Sequence, residues 1–156
     1  MDRIRMGVVG LNFGRHRVRT LANMSDVTVV GVADRHPNVA GGLEAFAEKY
    51  GAEPFRDGVE MMELAALDAV SICTSPRSRR PLIEYAAEHG IPMIVEKPWA
   101  TNLDHARELA EVCRRHDAAV MTGFNFRYHP AIVRLRNLMD AELGEAWMLN
   151  GSYVFA

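Results

Sequence analysis

The sequence lacks long hydrophobic runs, a large charge imbalance and a targeting segment. Its longest apolar runs, such as Val27 to Ala33, are far too short to cross a bilayer, so no membrane association is expected. The first residues contain neither the apolar segment nor the cleavage site of a signal peptide, and we expect a cytoplasmic protein. The formal net charge of −2 gives no field that would recruit nucleic acid.

Cysteine is also scarce. The two cysteines, Cys73 and Cys113, belong to no CxxC or Cys/His ligand pattern, so no metal site is expected. Cys73 lies in an apolar run, and Cys113 lies on the apolar face of a helical pattern. Both are therefore predicted to be buried small hydrophobic residues rather than nucleophiles or disulfide partners.

What the chain does contain is an alternation of apolar runs and helical patterns, with 49% hydrophobic and 24% charged residues over 156 positions. Strands are predicted at residues 4–10, 27–33, 69–73, 91–95 and 119–124, with a short one near 54–55. Helices are predicted at residues 14–24, 37–50, 57–64, 79–89 and 101–116, with Asp57 and Thr101 as N-caps. Near-continuous apolar strands separated by helices predict an α/β fold, a doubly wound parallel sheet formed by residues 1–124.

The pattern changes after residue 124. A helix is predicted from Pro130 through Met139, followed by a turn at 140–145 and a strand at 146–155 with one face to bury. We expect residues 125–156 to be the crossover helix and first strand of a second α/β domain, and the chain to end before a substrate pocket is complete.

The first strand leads into a glycine-bearing turn. Its pattern, Gly10-x-Asn12-Phe13-Gly14, is one residue shorter than GxGxxG and has Asn12 for the middle glycine. Asparagine tolerates left-handed dihedrals, and the following helix presents free N–H groups and the positive end of its dipole. Taken alone, the turn is compatible with a pyrophosphate site or with a tight strand-to-helix connection without a ligand.

Asp34 follows the second strand, about twenty residues after the turn, where a carboxylate can accept hydrogen bonds from an adenosine ribose. The alternative is a helix cap or turn residue. Asp34 favours NAD because it repels a 2′-phosphate, whereas the adjacent Arg35 could stack on adenine or bind that phosphate, which leaves NADP open.

A third loop, Thr74-Ser75-Pro76, follows a strand at the same predicted edge. It could contact the dinucleotide, although a proline turn leading to a helix is the alternative. The neighbouring Arg77, Arg79 and Arg80 are expected on a solvated face, and the alternative is that one of them guides an anionic substrate.

The fourth loop, Glu96-Lys97-Pro98, is the most informative motif in the chain. A positioned Lys97 ammonium can stabilise negative charge on a carbonyl oxygen and carry its proton, with Glu96 expected to tune or orient it. The alternative is a surface Glu–Lys pair before a helix. Together with the glycine turn and Asp34, the loop suggests a nicotinamide dinucleotide held over Lys97.

With these motifs in this order, and with the segment 123–130 (GFNFRYHP), the chain resembles the glucose–fructose oxidoreductase/inositol dehydrogenase (Gfo/Idh/MocA) family over essentially its whole length. The resemblance implies a Rossmann-like domain and NAD(P)-dependent oxidation or reduction of a sugar, polyol or related metabolite. It implies that Lys97 is catalytic and contacts substrate, that Asn125 lies near the nicotinamide, and that Arg127 lies near the substrate. The cofactor residues it implies are Gly10, Asn12, Phe13, Gly14, Asp34, Arg35, Thr74, Ser75, Pro76, Glu96, Lys97 and Asn125.

Three departures from the family pattern stand out. Asn12 replaces a glycine, and Arg80 stands where the family often has a histidine. The family's catalytic Asp–His pair and large open sheet lie beyond the last residue, so the chain is expected to be catalytically impaired. The alternative from another class is a non-catalytic dinucleotide-binding or interaction module. It would form homo-oligomers through the strand at 146–155.

Overall fold

The computed structural model describes residues 2–145, 147–148 and 150–152. The chain divides into two compact units, Met1–Gly123 and Phe124–Ala156. The first unit contains a sheet whose six strands are all parallel. These strands are β1 (Ile4–Val9), β2 (Val27–Ala33), β3 (Glu53–Phe55), β4 (Ala69–Ile72), β5 (Met93–Val95) and β6 (Val120–Thr122).

The strand order is β3-β2-β1-β4-β5-β6, so β1 pairs with β2 on one side and with β4 on the other. The chain therefore winds outward in opposite directions from β1 and β4, and the predicted doubly wound parallel sheet is confirmed. A crevice opens where the winding direction changes, outside the carboxyl ends of the strands.

Helices cover both faces of this sheet. They are α1 (Leu11–Ala22), α2 (Gly42–Lys49), α3 (Gly58–Leu64), α4 (Arg80–Glu88) and α5 (Leu103–Arg115). One apolar core lies under α1 and α2, and the other lies under α3, α4 and α5. Val8 belongs to the first core and its neighbour Val9 to the second, which explains why the strands read as continuous apolar runs.

Several helix starts differ from the sequence prediction. Helix α1 begins at Leu11 instead of Gly14, because the Gly14 amide already donates to the Gly10 carbonyl at 3.0 Å. Helix α2 begins at Gly42 instead of residue 37, because Gly41 and Gly42 have positive φ values of 78° and 84°. The N-cap of α5 is Asn102 instead of Thr101, since its side chain accepts from the His105 amide at 2.9 Å.

Other boundaries are close to those predicted. Asp57 caps α3 by accepting from the amides of Val59 and Glu60, as expected. Strand β5 begins at Met93 instead of Ile91, because Pro92 has no amide to add to the ladder. Strand β6 is shorter than predicted, and a 3₁₀ turn precedes the start of α4.

The second unit begins with a 3₁₀ helix (Asn125–Tyr128) and continues as α6 (Pro130–Leu138). His129 caps α6 through its ring nitrogen, and Pro130 occupies the first helical position, as predicted. A π-helical turn (Met139–Leu143) stands where an ordinary turn was predicted, because α6 continues into it without a break. In the strand predicted at 146–155, residues 147–148 and 150–152 form no strand, and the others lie outside the described residues.

Gly10 has no room for a side chain. Its φ is 88°, and a Cβ atom there would lie 2.8 Å from the Thr74 amide nitrogen and 2.9 Å from the Cys73 carbonyl carbon. Gly51 also has a positive φ, of 65°, but a Cβ atom there would meet nothing within 4 Å. A side chain at Gly51 would therefore add backbone strain alone, whereas one at Gly10 would add both strain and a steric collision.

We predict that Gly10→Ala lowers the free energy of unfolding by about 2–5 kcal/mol, the sum of left-handed strain and overpacking. The matched variant Gly51→Ala loses only about 1–2 kcal/mol, because it adds strain alone. Urea unfolding of both variants measures the difference. Equal losses at the two positions would contradict the close approach of Gly10 to β4.

Candidate functional site

A cavity of about 840 Å³ lies at the carboxyl ends of the strands, where the winding direction changes. Loops that follow β1, β2, β3, β4 and β5 all contribute to its lining. Of the candidate residues, the lining includes Gly10, Asn12, Phe13, Asp34, Arg35, Thr74, Ser75, Pro76, Glu96 and Lys97. The four sequence segments that carry these candidates therefore meet at one site.

Gly14 does not line this cavity. A Cβ atom at Gly14 would lie 3.0 Å from Val8 Cγ1 and 3.3 Å from Cys73 Cβ. The glycine lets α1 pack closely against β1 and the end of β4, which is the usual part of the last glycine in a dinucleotide-binding turn.

The N-terminus of α1 points free amides at the cavity. An α-helix provides no internal acceptor for its first N–H groups, and its dipole is positive at this end. Asp34 satisfies the first amide, because its Oδ2 accepts from Leu11 N at 2.6 Å. Asn12 and Phe13, the next two residues of the helix, line the cavity. This arrangement suits a phosphate group.

Asp34 is half-buried and bridges two backbone segments. Its Oδ1 accepts from the His36 amide at 2.8 Å, and its Oδ2 accepts from Leu11. The cap-and-turn role that the sequence left open is therefore present in the structure. A carboxylate oxygen has capacity for a second hydrogen bond, so the same group can also accept from a ligand hydroxyl.

Arg35 and Asp57 form an ion pair at the cavity wall, with 2.5 Å between Arg35 Nη2 and Asp57 Oδ2. The hydrogen bond from Arg35 lowers the pKa of Asp57, and the amides that Asp57 caps act in the same direction. His36, Arg56, Asp57 and Gly58 also line the cavity, and none of them was among the predicted site residues. The signal that could have found Asp57 is its position, because it lies two residues after β3 at the same sheet edge.

The loop after β4 carries a buried hydroxyl. Thr74 Oγ1 is inaccessible to solvent and has no hydrogen-bond partner within the described part of the chain. Such unsatisfied buried groups are rare in folded proteins, so a ligand acceptor or an ordered water is expected to complete this one. Ser75 and Ser78 bond each other, with 3.0 Å between their hydroxyl oxygens.

Glu96 and Lys97 diverge at the end of β5. Glu96 is only 7% exposed, and its Oε2 lies 3.1 Å from Nη2 of Arg17 on α1. The expectation that Glu96 orients Lys97 is therefore wrong: the carboxylate binds Arg17 instead. Lys97 is exposed at the cavity, and across residues 2–145, 147–148 and 150–152 its ammonium has no hydrogen-bond or ion-pair partner. It is thus available to a ligand.

Arg79 is the residue that the sequence analysis misplaced. It was expected on a solvated face with Arg77 and Arg80, but it is 1% exposed. Its guanidinium donates to the carbonyls of Thr74, Glu96, Pro98 and Trp99. Arg77 and Arg80 are exposed, and Arg80 pairs with Glu84 and Glu108. No signal in the sequence distinguishes Arg79 from the arginine that follows it.

The remaining candidates can be placed briefly. Asn125 and Arg127 lie in the 3₁₀ helix of the second unit, and their predicted roles stay predictions. Both cysteines are buried free thiols, as predicted, and burial raises the pKa of each. Among the described residues, no group of three His, Cys, Asp or Glu side chains could hold a metal ion. Within the same part of the chain, no helix has the length and apolarity needed to span a bilayer.

Comparison with known proteins identifies relatives of the chain. Two curated relatives are a D-apiose dehydrogenase of Paraburkholderia graminis and a D-xylose 1-dehydrogenase [NADP(+)] of Haloarcula marismortui. Each is 31% identical to the chain; the matches cover 92% and 83% of this chain, but only 38% and 36% of the relatives. The chain therefore spans well under half the length of these relatives.

Solved structures show the same fold. The scyllo-inositol dehydrogenase of Lactobacillus casei, whose crystal structure holds NAD(H) and scyllo-inositol, superposes with a TM-score of 0.80 at 23% identity. The match covers 89% of this chain and 41% of that one. The family model described as "Oxidoreductase family, NAD-binding Rossmann fold" matches residues 4–124. The chain belongs to the Gfo/Idh/MocA oxidoreductase family and carries the family's NAD-binding Rossmann fold in its N-terminal portion.

Proposed function

We propose that the chain is the dinucleotide-binding part of an NAD(P)-dependent oxidoreductase that acts on a hydroxyl or carbonyl group of a sugar or polyol. The observation that carries the proposal is the single cavity shared by the α1 N-terminus, Asp34 and the unpartnered ammonium of Lys97. The names of the relatives, which include sugar and inositol dehydrogenases, support the substrate class.

The residues of the cavity fit a dinucleotide. The amides of Asn12 and Phe13 suit the pyrophosphate, and the spare lone pairs of Asp34 suit ribose hydroxyls. The buried hydroxyl of Thr74, which has no partner among the described residues, can donate to the same ligand. The volume of about 840 Å³ lies within the range of small-molecule sites.

The cofactor supplies a hydride acceptor or donor when it is bound. Lys97 is then the residue that acts as general acid or base at the reacting oxygen. During reduction of a carbonyl, its ammonium stabilises the charge that gathers on oxygen and delivers a proton from Nζ. During oxidation of an alcohol, the neutral amine takes the hydroxyl proton. We propose that Arg127 contacts the substrate and Asn125 the nicotinamide.

The charges near Asp34 favour NAD over NADP. Asp34 is anionic and would face a 2′-phosphate directly, which costs electrostatic energy. Arg35 could offset this cost, but its guanidinium is already paired with Asp57, and Arg56 is paired with Glu44. Binding of NADP would therefore require these pairs to be shared or broken. We infer that NAD is preferred.

Isothermal calorimetry with NAD, NADH, NADP and NADPH tests the proposal directly. We expect saturable binding with a one-to-one ratio, and tighter binding of NAD(H) than of NADP(H). The absence of heat with all four, in a chain that unfolds cooperatively, would overturn the assignment of the cavity.

Replacing Asp34 by serine should change the cofactor preference. The change removes the charge that repels the 2′-phosphate. It keeps a hydroxyl that can accept a hydrogen bond from one backbone amide. We expect the ratio of the NADP to the NAD dissociation constant to fall by about tenfold or more, equivalent to at least about 1.4 kcal/mol.

Asp104→Ser is a matched control, because the Asp104 side chain is 88% exposed on the first turn of α5 and does not line the cavity. It should leave the ratio unchanged. If Asp34→Ser behaves like this control, Asp34 does not lie at the ribose.

Lys97→Ala separates chemistry from cofactor binding. In a protein that carries this segment together with a substrate-binding domain, we expect kcat to fall by about 10²–10⁴, the usual contribution of a positioned acid–base group. The NAD dissociation constant should change by less than about threefold, because phosphate and ribose contacts are untouched.

Lys49 is the only other lysine of the chain, which makes Lys49→Ala the natural control. It should leave turnover and binding at wild-type values. Comparable losses of turnover and NAD affinity in Lys97→Ala would instead mean that Lys97 serves mainly to hold the cofactor.

A further inference from the structure

We propose that Arg79 is a positioning residue for Lys97, which fastens the Glu96–Trp99 loop to the end of β4 so that the lysine faces the cavity. The proposal concerns the same site as the proposed function and rests on it for the role of Lys97. It assigns a part to a side chain that touches the loop backbone and no reacting group.

The geometry of the hydrogen bonds carries the inference. Arg79 Nη1 donates to the carbonyls of Glu96 and Pro98, the residues on either side of Lys97, and lies 3.3 Å from the Trp99 carbonyl. Arg79 Nη2 donates to the carbonyl of Thr74. One planar group therefore joins the loop after β4 to the loop after β5.

The direction of Lys97 follows from these contacts. Because the carbonyls of Glu96 and Pro98 are both turned toward a buried cation, the Glu96–Lys97 and Pro98–Trp99 peptide units are fixed, and Lys97 lies between them. The result is visible in the exposures of neighbours: Glu96 is 7% exposed, whereas Lys97 is exposed at the cavity lining. A loop without this anchor would leave both peptide units free to rotate.

The chemistry of the contact requires arginine. Five N–H donors in a rigid plane can reach acceptors on two loops at once, whereas a lysine ammonium at the same place offers three donors from one point. Burial lowers the pKa of Arg79, but a guanidinium remains charged in proteins. The Glu96 carboxylate binds Arg17, so carbonyl dipoles are the direct partners of the Arg79 charge.

A purely space-filling role is the competing explanation. It predicts that loss of Arg79 lowers global stability without any particular effect on the Lys97 loop. The two explanations differ in which amides exchange faster in the variant and in which added molecule restores slow exchange. The Glu96 amide reports on the loop, because it donates to the Ile72 carbonyl at 2.9 Å. The Gly10 amide, which donates to the Ala33 carbonyl at 2.8 Å, reports on the pairing between the ends of β1 and β2.

The test uses Arg79→Ala, with Arg80→Ala as the matched control from the next position. Hydrogen exchange of the Glu96 and Gly10 amides is measured by NMR, and NADH affinity is measured by titration. Reductive methylation with isotope-labelled formaldehyde adds methyl groups to Nζ of Lys49 and Lys97, and their NMR signals report which lysine senses NADH. Each measurement is repeated with millimolar guanidinium, which can refill the site, and with urea at the same concentration as a neutral analogue.

We expect Arg79→Ala to speed exchange at Glu96 by about tenfold or more relative to Gly10, and to change the NADH dissociation constant by less than about threefold, as in Lys97→Ala. The NADH-induced shift of the Lys97 methyl signal should be lost. Guanidinium should restore slow exchange and the methyl shift by at least half, and urea should not. Arg80→Ala should match the wild type. Arg79→Lys keeps the charge and should show the same changes in exchange and in the methyl shift, but smaller ones. It replaces Arg79→Ala in the test if the alanine variant does not fold.

Equal acceleration of exchange at Glu96 and Gly10, or equal rescue by urea and guanidinium, would overturn the positioning role. Failure of the proposed function looks different. In that case the wild type itself would show no NADH binding and no methyl shift, while exchange at Glu96 would still decide whether Arg79 holds the loop.

Discussion

The close approach of the Gly10 backbone to the end of β4 is the constraint on which the site depends. Strand β1 pairs with both β2 and β4, so its carboxyl end meets the loops that follow each of them. Any side chain at Gly10 would collide with the Thr74 amide. Since the turn is this tight, α1 can begin one residue later, and its N-terminal amides reach the cavity that Asp34, Thr74 and Lys97 share.

Much of this arrangement can be predicted from the sequence, because it depends on local patterns. Continuous apolar runs identified the parallel strands, and the ends of those strands identified ten of the residues that line the cavity. The helix starts were less predictable. Gly14 reads as the beginning of a helix, but the structure places it inside α1, where the absence of a side chain allows contact with Val8.

The partners of charged residues could not be predicted, because they depend on distant segments. Glu96 adjoins Lys97 in the sequence, yet Glu96 is buried and meets Arg17 from α1, whereas Lys97 is exposed at the cavity. Arg79 and Arg80 are identical in type and adjacent, yet one is buried among carbonyls and the other pairs with exposed glutamates. Only the packed structure decides which arginine turns inward.

The basic residues of the cavity differ in whether they can release a proton. Of the eighteen lysines and arginines in the chain, two are lysines, and only Lys97 of the two lines the cavity. Arginine stays protonated in proteins, so Arg35, Arg56 and Arg79 can bind and orient but cannot pass a proton to a substrate. Lysine exchanges its proton readily, so Lys97, unlike the lining arginines, can both stabilise charge on oxygen and deliver a proton to it. A rigid arginine behind the loop and a titratable lysine in front of it are therefore complementary in the proposed function: the first is suited to fixing the backbone, and the second is suited to a proton transfer that a permanent cation cannot perform.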